Sequence, residues 1–328
     1  MFFVLSLVPL VAFSPMARAS GSLEPGAPPG PVMKSLDETE PRIPVHPSDL
    51  PLTITQRGSY YLTQDVNFTD PDHNAVTVEC NDVTIDLMGY NIVGPNAGTN
   101  SGILLSSVRT NVEIRNGSVK NFTNGIYAQN CLCRNLRAVD VRAIYNKLTG
   151  IYLNGGNNLV RNCMANNNGA SAAGSVYGIF AGSGAITTDN VVCDNGVSAS
   201  GTVMGIYAGN GSTVTGNMVQ ANGMSASGTA AYGIYVSSGC AVTGNTSCSN
   251  GYSSTVSNVY GIYTSVGCVV SENAVYNNGY SASGAVYGIY LWGDCLVDRN
   301  NAYYNNTGSG GINMSTCATC TFGLNHAP

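Results

Sequence analysis

Charge is what this chain has least of. Of 328 residues, 13 are Lys or Arg and 18 are Asp or Glu, a formal net charge of −5. That balance does not suggest a nucleic-acid binder, which needs a basic face. Histidine is scarce as well: His46, His73 and His326 all lie outside the repeats described below. No apolar run of about 20 residues follows the N-terminus, so no membrane-spanning helix is expected. The N-terminus itself differs. Phe2 to Phe13 is apolar and Ala17-Arg18-Ala19 supplies a small-x-small pattern, which predicts a signal peptide over residues 1–19 and export. Export would place the 11 cysteines in a disulfide-permissive space.

What the chain has in quantity is glycine, at 40 residues, and a repeat. The stretch Tyr232-Gly233-Ile234-Tyr235-Val236 contains a Gly-Ile-aromatic core. Its glycine aligns with Gly102, Gly125, Gly150, Gly178, Gly205, Gly261, Gly288 and Gly311, at steps of 23 to 28 residues. A period in the twenties predicts a solenoid whose repeats stack into one elongated core. Each repeat reads as a GIY strand, a Gly turn, a second strand, an Asn, a third short strand, Asn-Gly, and a Ser/Ala/Gly loop.

Asn162, Asn190, Asn217, Asn245, Asn273 and Asn300 align as one column, with Asn116 and Asn135 extending it. Asn168, Asn195, Asn222, Asn250 and Asn278 form a second. Asparagine tolerates left-handed turns, and amides stacked in register bond from coil to coil, so such columns mark the corners of a coil of parallel strands. The leucine framework of a leucine-rich repeat is missing. The predicted fold is therefore all-β: a single-stranded solenoid of about nine to ten coils with Asn ladders. Residues 20–52 read as a Pro-rich extended tail and residues 53–328 as the β-helix domain. Within the domain, 53–74 read as an N-terminal cap, 75–310 as coils and 311–328 as the C-terminal end.

With TIDLMGYNIVG (Thr84 to Gly94), VEIRNGSV (Val112 to Val119) and the GIYV…CAVTGN coils in view, residues 54–324 resemble the right-handed parallel β-helix proteins of the pectin-lyase-like superfamily. The start of the chain resembles a group of secreted bacterial members of that fold. The resemblance implies a right-handed coil. It does not select a function, since the fold carries lyases, hydrolases, epimerases, adhesins and non-catalytic binders.

Strand alternation sends the Ile of each GIY inward, so the aromatic beside it points out. Tyr127, Tyr152, Phe180, Tyr207, Tyr235, Tyr263 and Tyr290 are thus predicted to form an outward stripe, suited to sugar rings or a protein partner. Cys240, Cys268 and Cys295 fall in one inward column and read as small buried hydrophobes. Cys317 and Cys320 have the spacing of a small end-closing disulfide, with a metal pair as the other reading.

The basic residues gather early: Arg109, Arg115, Lys120, Arg134, Arg137, Arg142, Lys147 and Arg161 precede a C-terminal half in which only Arg299 is basic. Aligned on the Asn columns, Arg115, Arg134 and Arg161 stack on successive coils, with Asp86 before them and Asp189 after. Stacked like charges suggest an anionic ligand such as a uronate.

The paired carboxylates of a glycosidase do not share a column on neighbouring coils. A polysaccharide lyase needs less. Among Arg115, Arg134, Arg161 and Lys147 it would find a group to neutralise a carboxylate and a base, beside Tyr127 and Tyr152, with Asp86 or Asp189 as ligands for Ca2+. The expectation is a secreted β-helix that binds extracellular or cell-envelope polysaccharide, an anionic one included, or another surface partner, without catalysis and without a cofactor. A lyase on an acidic glycan and a purely structural rod remain open.

Overall fold

The computed structural model describes residues 41–306 and 310–328. The signal peptide expected over residues 1–19, and most of the tail expected over 20–52, lie outside them. The described chain is a right-handed parallel β-helix of about ten turns. One sheet of 11 parallel strands carries the GIY segments and runs from Leu52–Ile54 to Ile312–Met314. The other two faces of the coil are joined into one 20-stranded sheet. They are joined because Val112–Lys120 and Arg137–Ile144 run across the corner and pair with strands on both sides of it. In later coils that corner is sharp, and Leu159–Arg161 and Met164–Asn166 are separate strands.

At this corner one residue per coil takes a left-handed conformation: Asn116, Asp140, Asn162, Asp189, Gly216, Gly244, Glu272 and Arg299, with φ between 51° and 66°. The residue after it turns inward. From Asn190 onward that residue is Asn, and the side chains form a ladder. Asn217 Oδ1, for example, accepts from both the backbone N–H (3.0 Å) and Nδ2 (2.9 Å) of Asn190. A buried corner would otherwise leave N–H groups without partners, and the ladder supplies one to each.

The ladder corrects the sequence alignment by one residue. Asn162 is the exposed left-handed residue, and Cys163 holds the inward place, its N–H donating to Asn190 Oδ1 at 2.8 Å. Asn116 is likewise a left-handed corner residue. Asn135 sits at a different corner, donating to Asn111 Oδ1 at 3.2 Å. The second ladder is longer than expected, running through buried Asn146, Asn168, Asn195, Asn222, Asn250, Asn278 and Asn305.

Inside, Ile126, Ile151, Ile179, Ile206, Ile234, Ile262 and Ile289 stack as one fully buried column. Each such side chain contributes about 1.5–3 kcal/mol by leaving water. Under the return loops a second, smaller core forms from two small apolar residues per coil, Ala199 with Val203 and Ala226 with Ala231 among them. The loops therefore stack as regularly as the strands.

The ends differ from the expected cap and tail. Ile43–Val45 pairs with Gly58–Leu62, and Leu52–Ile54 pairs with Val76–Val78. Residues 53–74 make a rung of their own, because Ile54, Tyr60, Leu62 and Val66 alternate inward like every later rung. Beyond residue 311, Thr321–Phe322 pairs with Leu296–Asp298, and the disulfide Cys317–Cys320 closes the turn before it.

Candidate functional site: the aromatic face

The outward side of the GIY sheet is the most distinctive surface of the molecule. In Val176–Ser183, Val176 points in, Tyr177 out, Ile179 in and Phe180 out. Gly178 absorbs the extra residue. A Cβ there would lie 2.7 Å from Gly205 O and 2.8 Å from Asn195 Nδ2, so the ladder beneath it requires glycine. The alternation slips by one at each such glycine, and two aromatics three positions apart emerge on the same side.

The seven residues predicted to form a stripe do stack. Tyr152–Phe180, Phe180–Tyr207, Tyr207–Tyr235, Tyr235–Tyr263 and Tyr263–Tyr290 have ring centroids 4.1 to 5.3 Å apart and planes within 13°. Tyr127 joins Tyr152 at 5.1 Å with a 46° tilt. A second column, which period-2 alternation does not predict, stands beside them: Tyr177, Tyr232, Tyr260 and Tyr287, with Met204 between the first two. Its members meet the first column edge to face, Tyr232 on Tyr235 at 5.2 Å and 86°, for example. The spelling Tyr-Gly-Ile-Tyr carried the signal, but strict period-2 alternation puts its two tyrosines on opposite sides.

Stacking has two consequences. Much of each ring face is taken up by its neighbours, so the columns present ring edges and rows of phenol hydroxyls outward. Burial pushes the phenols up: Tyr152 and Tyr263 to about 12, with further help from neighbouring tyrosines, and Tyr127, Tyr177, Tyr232 and Tyr235 in the same direction. They are neutral donors at physiological pH. A general base needs the opposite shift.

Beside the first column runs a strip of small residues, Gly182, Gly209, Ser237 and Ser265, one per coil, with Tyr207 Oη 3.3 Å from Ser237 Oγ. Trp292, 63% exposed and the only tryptophan in the chain, stands at its C-terminal end. At the other end a cleft of about 700 Å³ is lined by Leu104, Ser106, Tyr127, Gln129, Asn130, Cys131, Tyr152 and Asn154, among others.

The basic residues are elsewhere, spread over several faces. Arg115 and Arg161 share a column on the second face, but Val139 lies between them. Arg134 is outside that column, bridging Thr110 and Gly156 at the corner beside the GIY sheet. The expected stack of three guanidinium groups is thus corrected, since the alignment rested on Asn135, which marks another corner. Arg115 reaches Asp86 at 3.0 Å and Glu113 at 3.3 Å, and Arg137 reaches Glu113 at 3.0 Å. Lys147 Nζ donates to Gly98 O at 3.3 Å.

Asp86 and Asp189 are kept apart by the rungs of Arg115, Val139 and Arg161, so they do not form one cation site. Among the described residues no three His, Cys, Asp or Glu side chains converge as metal ligands. A second cleft, of about 480 Å³, gathers Asp140, Arg142, Asn162 and Asp189 at the Asn corner, with Asn162 Nδ2 donating to Asp140 Oδ1 at 2.5 Å. Arg142 there is held by Ser118 Oγ at 2.8 Å.

No family model matches the chain, and no curated protein matches it in sequence. Solved structures do match in fold. The A-module of the Azotobacter vinelandii mannuronan C-5 epimerase AlgE4 is similar at a TM-score of 0.56 and 14% identity, over 87% of this chain and 85% of that one. The Dettilon tailspike protein is similar at 0.54 and 17% identity, over 79% of this chain and 54% of that one, so the chain spans about half of the tailspike. At such identities the likeness establishes the class, a right-handed parallel β-helix protein, and the fold alone.

Proposed function

We propose that this protein is an exported glycan-binding β-helix that holds polysaccharide along the aromatic face, without chemistry of its own. The observation that carries the reading is the double column of aromatic side chains, with a strip of small residues and an exposed Trp292 beside it. Hydroxyl rows and an aromatic end wall match the mixed polar and apolar faces of a sugar chain. One fold neighbour is the A-module of a mannuronan C-5 epimerase, and mannuronan is a polysaccharide, which makes a glycan the natural ligand class to test. For a lyase, the face would need a cation and a base together. The cleft at its end is lined by uncharged groups, and its tyrosines are shifted away from the basic form. The lyase reading keeps one foothold in Arg134, at the adjacent corner.

The test is a panel of polysaccharides assayed for binding and for release of unsaturated uronates, read by ultraviolet absorbance. Binding is expected, without product, and a Tyr207→Ala, Tyr235→Ala double variant should lose most of it while melting as a folded protein. Product formation that Arg134→Ala abolishes would overturn the non-catalytic reading.

A further inference from the structure

We infer that the ligand of the aromatic face is a linear glycan of uncharged sugars, lying along the solenoid axis and anchored at Trp292. The inference rests on the proposal that this face binds glycan, and it narrows the class. The chemistry along the strip is uniform. On one side stand the rings of the first column. Beside them lie glycine and serine, and beyond these is a run of corner residues, Asn157 and then Gly184, Gly211, Gly239 and Gly267, one per coil. Among the described residues, charged side chains come near only at the two ends of that run, Arg134 before Asn157 and Asp294 after Gly267.

A uronate chain carries a charge on every sugar. Over the ~24 Å from Tyr152 to Tyr290 it would find, among the described residues, no cation beside the rings to replace the water it gives up, and a partly desolvated unpaired carboxylate is costly. The Arg115 and Arg137 guanidinium groups do not help, for they lie on another face and are paired with Asp86 and Glu113. Neutral sugars incur no such penalty and find phenol and serine hydroxyls along most of the strip, the coil of Phe180 and Gly182 excepted.

Trp292 is the natural anchor because it is the aromatic with a free face. It makes no ring contact among the described residues, whereas the tyrosines cover one another. A sugar ring stacked there would fix the end of the chain, and the rest would run toward the cleft at Tyr127.

As the single tryptophan, Trp292 also reports on the site. Neutral oligosaccharides (xylo-, manno- and gluco-oligomers) and oligouronates (from pectate and alginate) would be titrated against its fluorescence. The binding expected is saturable, confined to the neutral set, and unchanged between about 0.05 and 0.5 M salt, since screening acts on charge and not on hydroxyl contacts. Isothermal titration calorimetry of Trp292→Ala should show affinity down about three- to tenfold, with melting unchanged, the loss of one stacked ring.

If oligouronates bind instead, weaken with salt and are lost in Tyr235→Ala, the aromatic face binds glycan but the neutral assignment is wrong. If oligouronate binding survives Tyr235→Ala and falls with Arg161→Ala, the aromatic-face reading itself is wrong. Silence from both sets refutes both.

Discussion

Replacing Asn222 by alanine tests the physical account of the coil most directly. Asn222 is fully buried in the second ladder. Its Oδ1 accepts from the backbone N–H of Asn195 at 3.2 Å and from Asn195 Nδ2 at 2.8 Å. Its Nδ2 donates to Val192 O at 3.0 Å, Gln220 O at 3.1 Å and Asn250 Oδ1 at 3.0 Å. In Asn222→Ala some of these partners keep another bond: Asn195 Nδ2 still reaches Ala165 O, and Asn250 Oδ1 still accepts from the Asn222 backbone. The Asn195 N–H loses its acceptor. An orphaned buried donor costs about 1–3 kcal/mol and each further lost bond about 0.5–1.5 kcal/mol. With the bonds to Val192 O and Gln220 O as the two further losses, the sum is roughly 2–6 kcal/mol, a large part of the ~5–15 kcal/mol typical of a folded domain. Because each coil touches only its neighbours, the damage should also loosen the coupling between the two halves of the rod. Guanidinium unfolding followed by far-ultraviolet circular dichroism would read the loss, and native-state hydrogen exchange should find the Asn195 amide deprotected. Asn210→Ala, exposed and bonded once to the Ser238 N–H, serves as the control. A loss under about 1 kcal/mol with the Asn195 amide still protected would refute the ladder as a source of stability.

Three further outcomes are expected. Thr187 Oγ1 is, among the described residues, the one buried side-chain polar atom without a partner, and it lies between Val160 and Val214. Thr187→Val should stabilise by about 1 kcal/mol in the same unfolding assay, and a destabilisation would mean the hydroxyl is bonded after all. In alkali, phenols raised toward about 12 in the folded state compete with unfolded phenols near 10, so the folded chain keeps protons that the unfolded chain releases. Stability should be fully present below pH ~10 and fall as pH rises toward about 12, with ionisation of Tyr152 and Tyr263, read as the difference from their Phe variants, accompanying loss of structure; their ionisation near 10 with the fold intact would contradict the burial argument. Arg115→Ala leaves buried Asp86 with the Met88 N–H, Asn116 Nδ2 and the Arg42 guanidinium at 3.8 Å, so it should cost about 1–3 kcal/mol in thermal melts, less than a charge stripped of every partner. Unchanged stability with lost glycan binding would instead make Arg115 a ligand contact.

The repeat, the inward Ile column and the Asn columns were legible because each depends on residue type at fixed spacing. Register was less so, for a reason that Asn162 makes plain. Asparagine serves both as the left-handed corner residue and as the inward ladder residue after it, and the letter is the same in both places. In the early coils Gly117, Val141 and Cys163 stand where later coils have the ladder Asn, so counting from the letter shifted the alignment and drew Arg134 into a column it does not join. The second tyrosine column was hidden by a comparable ambiguity. Tyr177 and Phe180 share a face only because Gly178 passes over the ladder amide of Asn195, a contact between segments 17 residues apart that no local period reports.

The same economy explains why the aromatic face can be free of charge. In a solenoid the polar demands of the corners must be met inside, and here stacked amides meet them, which leaves the outer positions of the GIY sheet unconstrained by the fold. Where coils are uniform, from Val176 to Leu291, those positions repeat and generate columns. Where coils are shorter and irregular, between Ser101 and Asn154, Asn124 and Thr149 take the place of the second column, and a cleft opens at the end of the first. A periodic surface ending in a cleft at one end and a lone indole at the other gives a linear ligand both repeated contacts and a defined register. On that ground the ends of the stripe, more than its middle, should decide which glycan is held.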